Sequence, residues 1–278
     1  MKKYLVVFDT NSMSKSSLDY AIQLSQSANA HLVAVFLDEF IYGTYDVTRV
    51  IKMDKEFESV MKEFTAIEIR KRADAEEQFQ KACTKANIPF SIHRDKKIAL
   101  QELKHESMFA DLIIINANET FTEYKQNAPT PFMKDFLGDV KCPVLVVPNI
   151  FKSINKIVLL YDGGRSALYA IKMFSYLFEN LQDLPVEVFT VKDGMDGLHV
   201  PDNKLMREFV KKHFPKAKFT VLKGKAGEQI PGYLLSHKEN ELVVLGAYHR
   251  SEISRWFKTS MADILMKSLE TPLFIAHN

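Results

Sequence analysis

Residues 4–9 read Tyr4-Leu5-Val6-Val7-Phe8-Asp9, and residues 157–162 read Ile157-Val158-Leu159-Leu160-Tyr161-Asp162. Each is an apolar run closed by an aspartate and followed by small polar residues. An amphipathic stretch comes next in both places, Ser16 to Ala28 and then Ser166 to Phe178. A run that is apolar at every position suits a parallel strand buried on both faces, with helices as the covering layers. The same unit therefore occurs twice, and the chain reads as a duplication.

The far ends of the two halves match as well. Asp111 precedes Leu112-Ile113-Ile114-Ile115, and Glu241 precedes Leu242-Val243-Val244-Leu245. Pro143 leads Val144-Leu145-Val146-Val147, and Pro272 leads Leu273-Phe274-Ile275-Ala276. The two aspartates are 153 positions apart, whereas Asp111 and Glu241 are 130 apart, so the first half carries about 23 extra residues. These fall in a charged stretch at about 44–87 with the apolar stripe Phe57, Val60, Phe64, Ile67, Ala75, Phe79 and Cys83, which predicts one long helix. Its mixed charges read as a solvated face, with a docking helix as the alternative.

Five strands are expected in each half. They run over Tyr4 to Phe8, His31 to Phe36, Phe90 to His93, Leu112 to Ile115 and Val144 to Val147, then Lys156 to Tyr161, Val186 to Val191, Lys218 to Leu222, Leu242 to Leu245 and Leu273 to Ala276. The fold class is α/β: two tandem Rossmann-like domains, 1–148 and 155–278, each a five-stranded parallel sheet flanked by helices.

Composition excludes more than it identifies. Of 278 residues, 46% are hydrophobic and 26% charged, with 37 Lys and Arg against 35 Asp and Glu. That balance predicts no nucleic-acid and no membrane partner, while a local basic patch stays open. Cys83 and Cys142 are too far apart for a paired metal or redox motif and read as buried fillers in a reducing compartment. Five apolar residues before Asp9 are too few for a signal peptide or a membrane span, so a cytoplasmic location is expected.

In an open parallel sheet, a ligand crevice forms at the carboxyl ends of the strands where strand order reverses. In the second half, Asp162-Gly163-Gly164 follows the first strand and Gly246-Ala247-Tyr248-His249-Arg250 follows the fourth. If those strands are neighbours, both loops line one crevice. Glycine admits a ligand close to the backbone, and Asp162 can accept hydrogen bonds from hydroxyl or amino groups.

With these residues in view, nearly the whole chain resembles a tandem universal stress protein. In ATP-binding members the resemblance implies Gly, two residues, Gly, nine residues, Gly, then Ser or Thr, with the first-strand aspartate on the adenosine. Laid on this chain, the positions are Gly246, His249, Thr259 and Ser260, so one glycine of three remains. The implied nucleotide-binding candidates are Asp162, Gly163, Gly164, Val191, Gly246, His249, Arg250, Thr259, Ser260 and Met261. ATP or another adenine nucleotide is the implied cofactor, and no metal site or catalytic residue is assigned. Weaker first-half candidates are Asp9, Thr10 and Asn116, the last standing where the first glycine would be.

Each candidate has a plainer reading. Ser260 is a natural helix cap, with Asp263 completing the shape of a capping box. Thr130-Pro131 reads as a cap with proline in the first turn. Gly224 and Gly227 read as a turn. His249, Arg250, Arg255 and Lys258 could hold phosphate oxygens or simply face solvent, and Trp256-Phe257 could cover the crevice or anchor a core. No GxxxxGK[ST], GxSxG or HExxH pattern occurs. The expected function is a stress-response binding or signalling module with a degenerate nucleotide site. The alternative is an ATP-binding protein with slow phosphohydrolase activity in the second half. Expected partners are a small-molecule ligand and the other half of the same chain, with a homo-oligomer left open.

Overall fold

Among the described residues ten strands form, and each agrees with the sequence expectation to within one residue at either end. They are β1 (Lys3–Asp9), β2 (His31–Leu37), β3 (Phe90–His93), β4 (Leu112–Asn116) and β5 (Val144–Val147), then β6 (Lys156–Leu160), β7 (Val186–Lys192), β8 (Lys218–Lys223), β9 (Glu241–Gly246) and β10 (Leu273–Ala276). The computed structural model describes residues 1–9, 13–37, 55–93, 99–120, 126–181, 183–194, 197, 199–237, 240–247 and 260–277, with backbone alone for 55–66, 68 and 99.

The two expected five-stranded parallel sheets form, and they join edge to edge, as the expected pairing of the halves allows. Strand order is β3-β2-β1-β4-β5-β10-β9-β6-β7-β8, a single ten-stranded sheet in which the second half mirrors the first. Within each half all pairings are parallel, and the halves meet through an antiparallel pair of β5 with β10, Leu145 opposite Phe274. Both joining strands are buried along their whole length. Left separate, each would be an exposed apolar edge, so each half removes the other's edge.

Helices cover both faces. One face carries α1 (Lys15–Ala28), the carboxyl-terminal part of α2 (Lys55–Lys85), α5 (Arg165–Leu177) and α6 (Asn203–His213). The other carries α3 (Ala99–Glu106), α4 (Pro131–Leu137), α7 (Ala226–Ser236) and α8 (Met261–Ser268). Sequence signals set several ends. Ser14 caps α1 by accepting from the Ser17 amide, and Asn29 closes it in the left-handed region at φ 48°. Thr130 accepts from the Met133 amide, with Pro131 as the first residue of α4. In α2, Ala75, Phe79 and Cys83 are buried, as the stripe predicts, but Ile67 is 47% exposed because only the carboxyl-terminal part of the helix packs on the core, and positions 44–54 of the expected helix lie outside the described residues. Both thiols are free, and burial pushes each up to about 12, in keeping with packing fillers.

Side chains of the first half also close the second. Lys2 Nζ donates to the carbonyls of Tyr176 and Leu177 at 3.0 and 2.7 Å, and the Tyr4 hydroxyl donates to Leu177 at 3.3 Å. These are the unpaired carbonyls at the end of α5. Tyr20 on α1 donates to the Lys152 carbonyl, and Ser16 donates to that of Pro148, fastening the connecting segment.

Candidate functional site

β6 and β9 are neighbours, paired in parallel from Lys156 with Glu241 to Leu159 with Val244. Their other neighbours, β7 and β10, lie on opposite sides. The carboxyl ends of β6 and β9 are therefore the point of reversal in this half. α5 runs back from β6 on one face and α8 runs back toward β10 on the other, so both helix N-termini lie at this end. Asp162 follows β6 and Gly246 ends β9 on this same side, which meets the condition of neighbouring strands.

The turn after β6 is built locally. Asp162 is exposed and its Oδ1 accepts from the Gly164 amide at 2.7 Å, an Asx turn leading into α5. Gly163 has φ +88°, and a β-carbon there would lie 2.8 Å from Pro201 Cβ, so backbone and neighbour both demand glycine. Gly164 is the N-cap of α5 and, lacking a side chain, leaves the first amides uncapped. The buried Tyr161 donates to Asp202 Oδ2 at 3.4 Å, and Thr190 Oγ1 donates to the Tyr161 carbonyl at 2.7 Å. Burial, then the charge of Asp202, holds the Tyr161 phenol above its ordinary range.

Gly246 has a packing role that the sequence did not reveal. A β-carbon on it would lie 2.3 Å from the Ser166 carbonyl carbon and 2.4 Å from the Ala167 nitrogen. The end of β9 thus touches the first turn of α5, backbone to backbone. Ser166 Oγ is buried beside this contact without a hydrogen-bond partner among the described residues. Ser260 is the N-cap of α8 and accepts from the Ala262 amide at 3.2 Å, so it works as a cap. Val191 and Met261 are half-buried against the core on the α8 face. His249, Arg250 and Thr259, with Arg255, Trp256, Phe257 and Lys258, lie outside the described residues.

The first-half crevice differs in chemistry. β1 pairs with β4, which brings Asp9 and Asn116 to the same end, and Thr10 lies outside the described residues. Asn116 Nδ2 donates to Ser14 Oγ at 3.3 Å and its Oδ1 accepts from the Asn118 amide at 2.9 Å. It therefore ties the end of β4 to the cap of α1, the junction Gly246 makes by backbone contact. Glu119 escaped the sequence reading. It is 7% exposed, and burial together with the Asp9 charge pushes its carboxyl up to about 8. Nothing in its neighbours signals this, because the burial comes from the fold.

A cavity of 260 Å³ opens at the opposite, amino end of β9 and β10, lined by Tyr20, Lys152, His237, Glu241 and Glu270 among others. Beside it Lys156 Nζ stands 2.9 Å from both Glu187 Oε2 and Glu241 Oε1, and Tyr233 donates to Glu187 Oε1 at 2.6 Å. This cluster lies at the wrong end of the strands for the Asp162 crevice. Among the described residues no group of three or more His, Cys, Asp or Glu could hold a metal ion.

A doubly wound five-stranded unit, duplicated and joined through its last strands, defines the class: the tandem universal stress protein fold. In sequence the chain is similar to universal stress protein Slr1230 of Synechocystis sp. (strain ATCC 27184 / PCC 6803 / Kazusa), 26% identical over 175 residues, or 61% of this chain. The chain spans 58% of the length of that curated relative. A universal stress protein of Archaeoglobus fulgidus DSM 4304 superposes with a TM-score of 0.68 at 14% identity, covering 99% of this chain and 98% of its own. A Pseudomonas aeruginosa UCBPP-PA14 protein assigned to the same group gives 0.57 at 14% identity, over 99% and 92%. These likenesses establish the fold. No protein-family model matches the chain. Among the described residues no helix is long and apolar enough to cross a membrane.

Proposed function

We propose that this protein is a stress-response module that works by binding a small ligand, and that the ligand is an adenine nucleotide seated in the second-half crevice. The observation that carries the reading is the convergence of Asp162, Gly246 and the N-termini of α5 and α8 at one strand-order reversal. Such a place favours an anionic ligand through oriented amides. The described residues fit the nucleoside part: Asp162 keeps its second carboxylate oxygen for a hydroxyl or amino group, and Val191 offers an apolar wall. Phosphates would fall to Arg250, His249 and the Ser260 turn. We assign 1–148 and 155–278 as the two domains and the cytoplasm as the location, which the two free thiols support.

Calorimetry with ATP, ADP and AMP is the test, run on the full chain and on Asp162→Ala. Binding by the parent that weakens at least about tenfold in the variant upholds the reading, a loss in line with a charged hydrogen bond. No binding at millimolar ligand overturns it. ATP turnover above background that Asp162→Ala abolishes would replace it with a slow phosphohydrolase.

A further inference from the structure

Residues 203–225 hold eight Lys and Arg against one acidic residue, Glu208, although the whole chain is nearly balanced at a formal +2. They lie on α6, in the turn after it, on the edge strand β8 and, for Lys225, at the N-cap of α7, and every one of the eight is exposed. None forms an ion pair with any described residue. Lys204, Arg207 and Lys211 follow i, i+3, i+7 spacing and so form one ridge of α6, with Lys212 beside it. Rings are interleaved with the charges. The Arg207 guanidinium lies 4.2 Å from the Phe219 ring centre, His213 stands 4.6 Å from Phe209 and 5.6 Å from Tyr176, and Lys172 lies over Tyr176. Tyr176 is 46% exposed.

From this placement we infer, against the expectation drawn from the overall charge balance, that the α6–β8 surface binds a single-stranded nucleic acid, its phosphates along the Lys204–Arg207–Lys211 ridge and its bases against the exposed Tyr176. Cations without an ion-pair partner at one-turn spacing gain affinity by releasing the counterions condensed on a polyphosphate, and the exposed Tyr176 ring adds stacking that tolerates any base. An anionic lipid surface shares the charge but fits the shape less well. The apolar face of α6, with Met206 and Val210, is spent on the core, which leaves Leu205 as the helix's exposed aliphatic group. The amino end of α6 adjoins the Asp162 crevice, since Pro201 packs on Gly163 and Asp202 accepts from Tyr161, but the inference requires no nucleotide bound there.

Fluorescence anisotropy with a labelled oligothymidylate and a labelled oligouridylate tests this on the full chain. Lys204→Glu, Lys211→Glu and Lys212→Glu together are compared with Lys85→Glu, Lys134→Glu and Lys267→Glu, three exposed lysines elsewhere. Expected are an affinity that falls steeply between about 50 and 200 mM salt, and a loss of at least about tenfold in the first triple variant. The control triple keeps most of the affinity, and Tyr176→Leu lowers it by about fivefold. Circular dichroism verifies that each variant is folded. Absence of oligonucleotide binding in low salt, or equal loss in both triples, overturns the inference. So does binding to phosphatidylserine vesicles without binding to oligonucleotide, which makes the partner a lipid surface. Inorganic polyphosphate bound as tightly as the oligonucleotide, with Tyr176→Leu silent, overturns the nucleic-acid assignment.

Discussion

The end of β9 at Gly246 rests directly on the Ser166 backbone, close enough that a β-carbon would fall 2.3 Å from the Ser166 carbonyl carbon. One glycine thereby serves two purposes, seating α5 on the sheet and keeping the crevice wall low. Gly246→Ala must push α5 outward, at a cost of about 1–3 kcal/mol, the range for overpacking a tight contact. Urea denaturation should show a lower midpoint, and any nucleotide affinity should fall as well because α5 carries the amides.

Glu119 makes stability depend on pH in an unusual direction. Its carboxyl is raised to about 8 by burial and by Asp9, whereas an unfolded glutamate titrates near 4.3. The folded state then holds a proton that the unfolded state loses, so this contribution is complete below about pH 4 and disappears as pH rises through about 8. Glu119→Gln should raise the melting temperature at pH 8 and 9 more than at pH 5. Equal shifts at all three would show that Glu119 does not titrate as described.

At the other end of the strands, Lys156 separates two carboxylates. Burial pulls its ammonium down, but the hydrogen bonds and charges of Glu241 and Glu187 outweigh that and hold it above the ordinary lysine range. Lys156→Met leaves Glu187 and Glu241 buried and facing each other, and should cost about 3–5 kcal/mol. For Glu187, burial raises the carboxyl, yet hydrogen bonds from Thr220, Tyr233 and Lys156 bring it below its usual value. Its contribution is present above about pH 4.3 and is lost as pH falls further, a loss that acid titration of Glu187→Gln should lack.

Tyr4 and Lys2 carry the junction between halves at the end of α5. Tyr4→Phe removes one buried hydrogen bond to Leu177, worth about 1 kcal/mol. Lys2→Ala frees the Tyr176 carbonyl and leaves that of Leu177 to Tyr4 alone, and amide exchange should quicken at the end of α5 while α7 stays protected. Uniform quickening across the second half would instead mean that the contact supports the whole unit.

Much of this architecture was legible in the residues. All ten strands, the first turns of α1 and α5 and the Thr130-Pro131 cap follow from local pattern: apolar runs, helical spacing and hydroxyl caps act within a few positions of themselves. That Asp162 and Gly246 follow strands ending on the same side was also predictable, given neighbouring strands. The Ser260 cap was legible too, whereas the use of Asp162 to hold its own turn was not.

What the sequence determined by itself was the repeat, because period and burial are written in consecutive residues. Tertiary structure alone decided that the two sheets would join edge to edge, that Gly246 meets Ser166, that the Asp9 charge acts on Glu119 and that Arg207 of α6 lies over Phe219 of the edge strand. Each of these joins residues that local pattern cannot connect, and each was set by the need to cover apolar strand edges and to pack helices onto a common sheet.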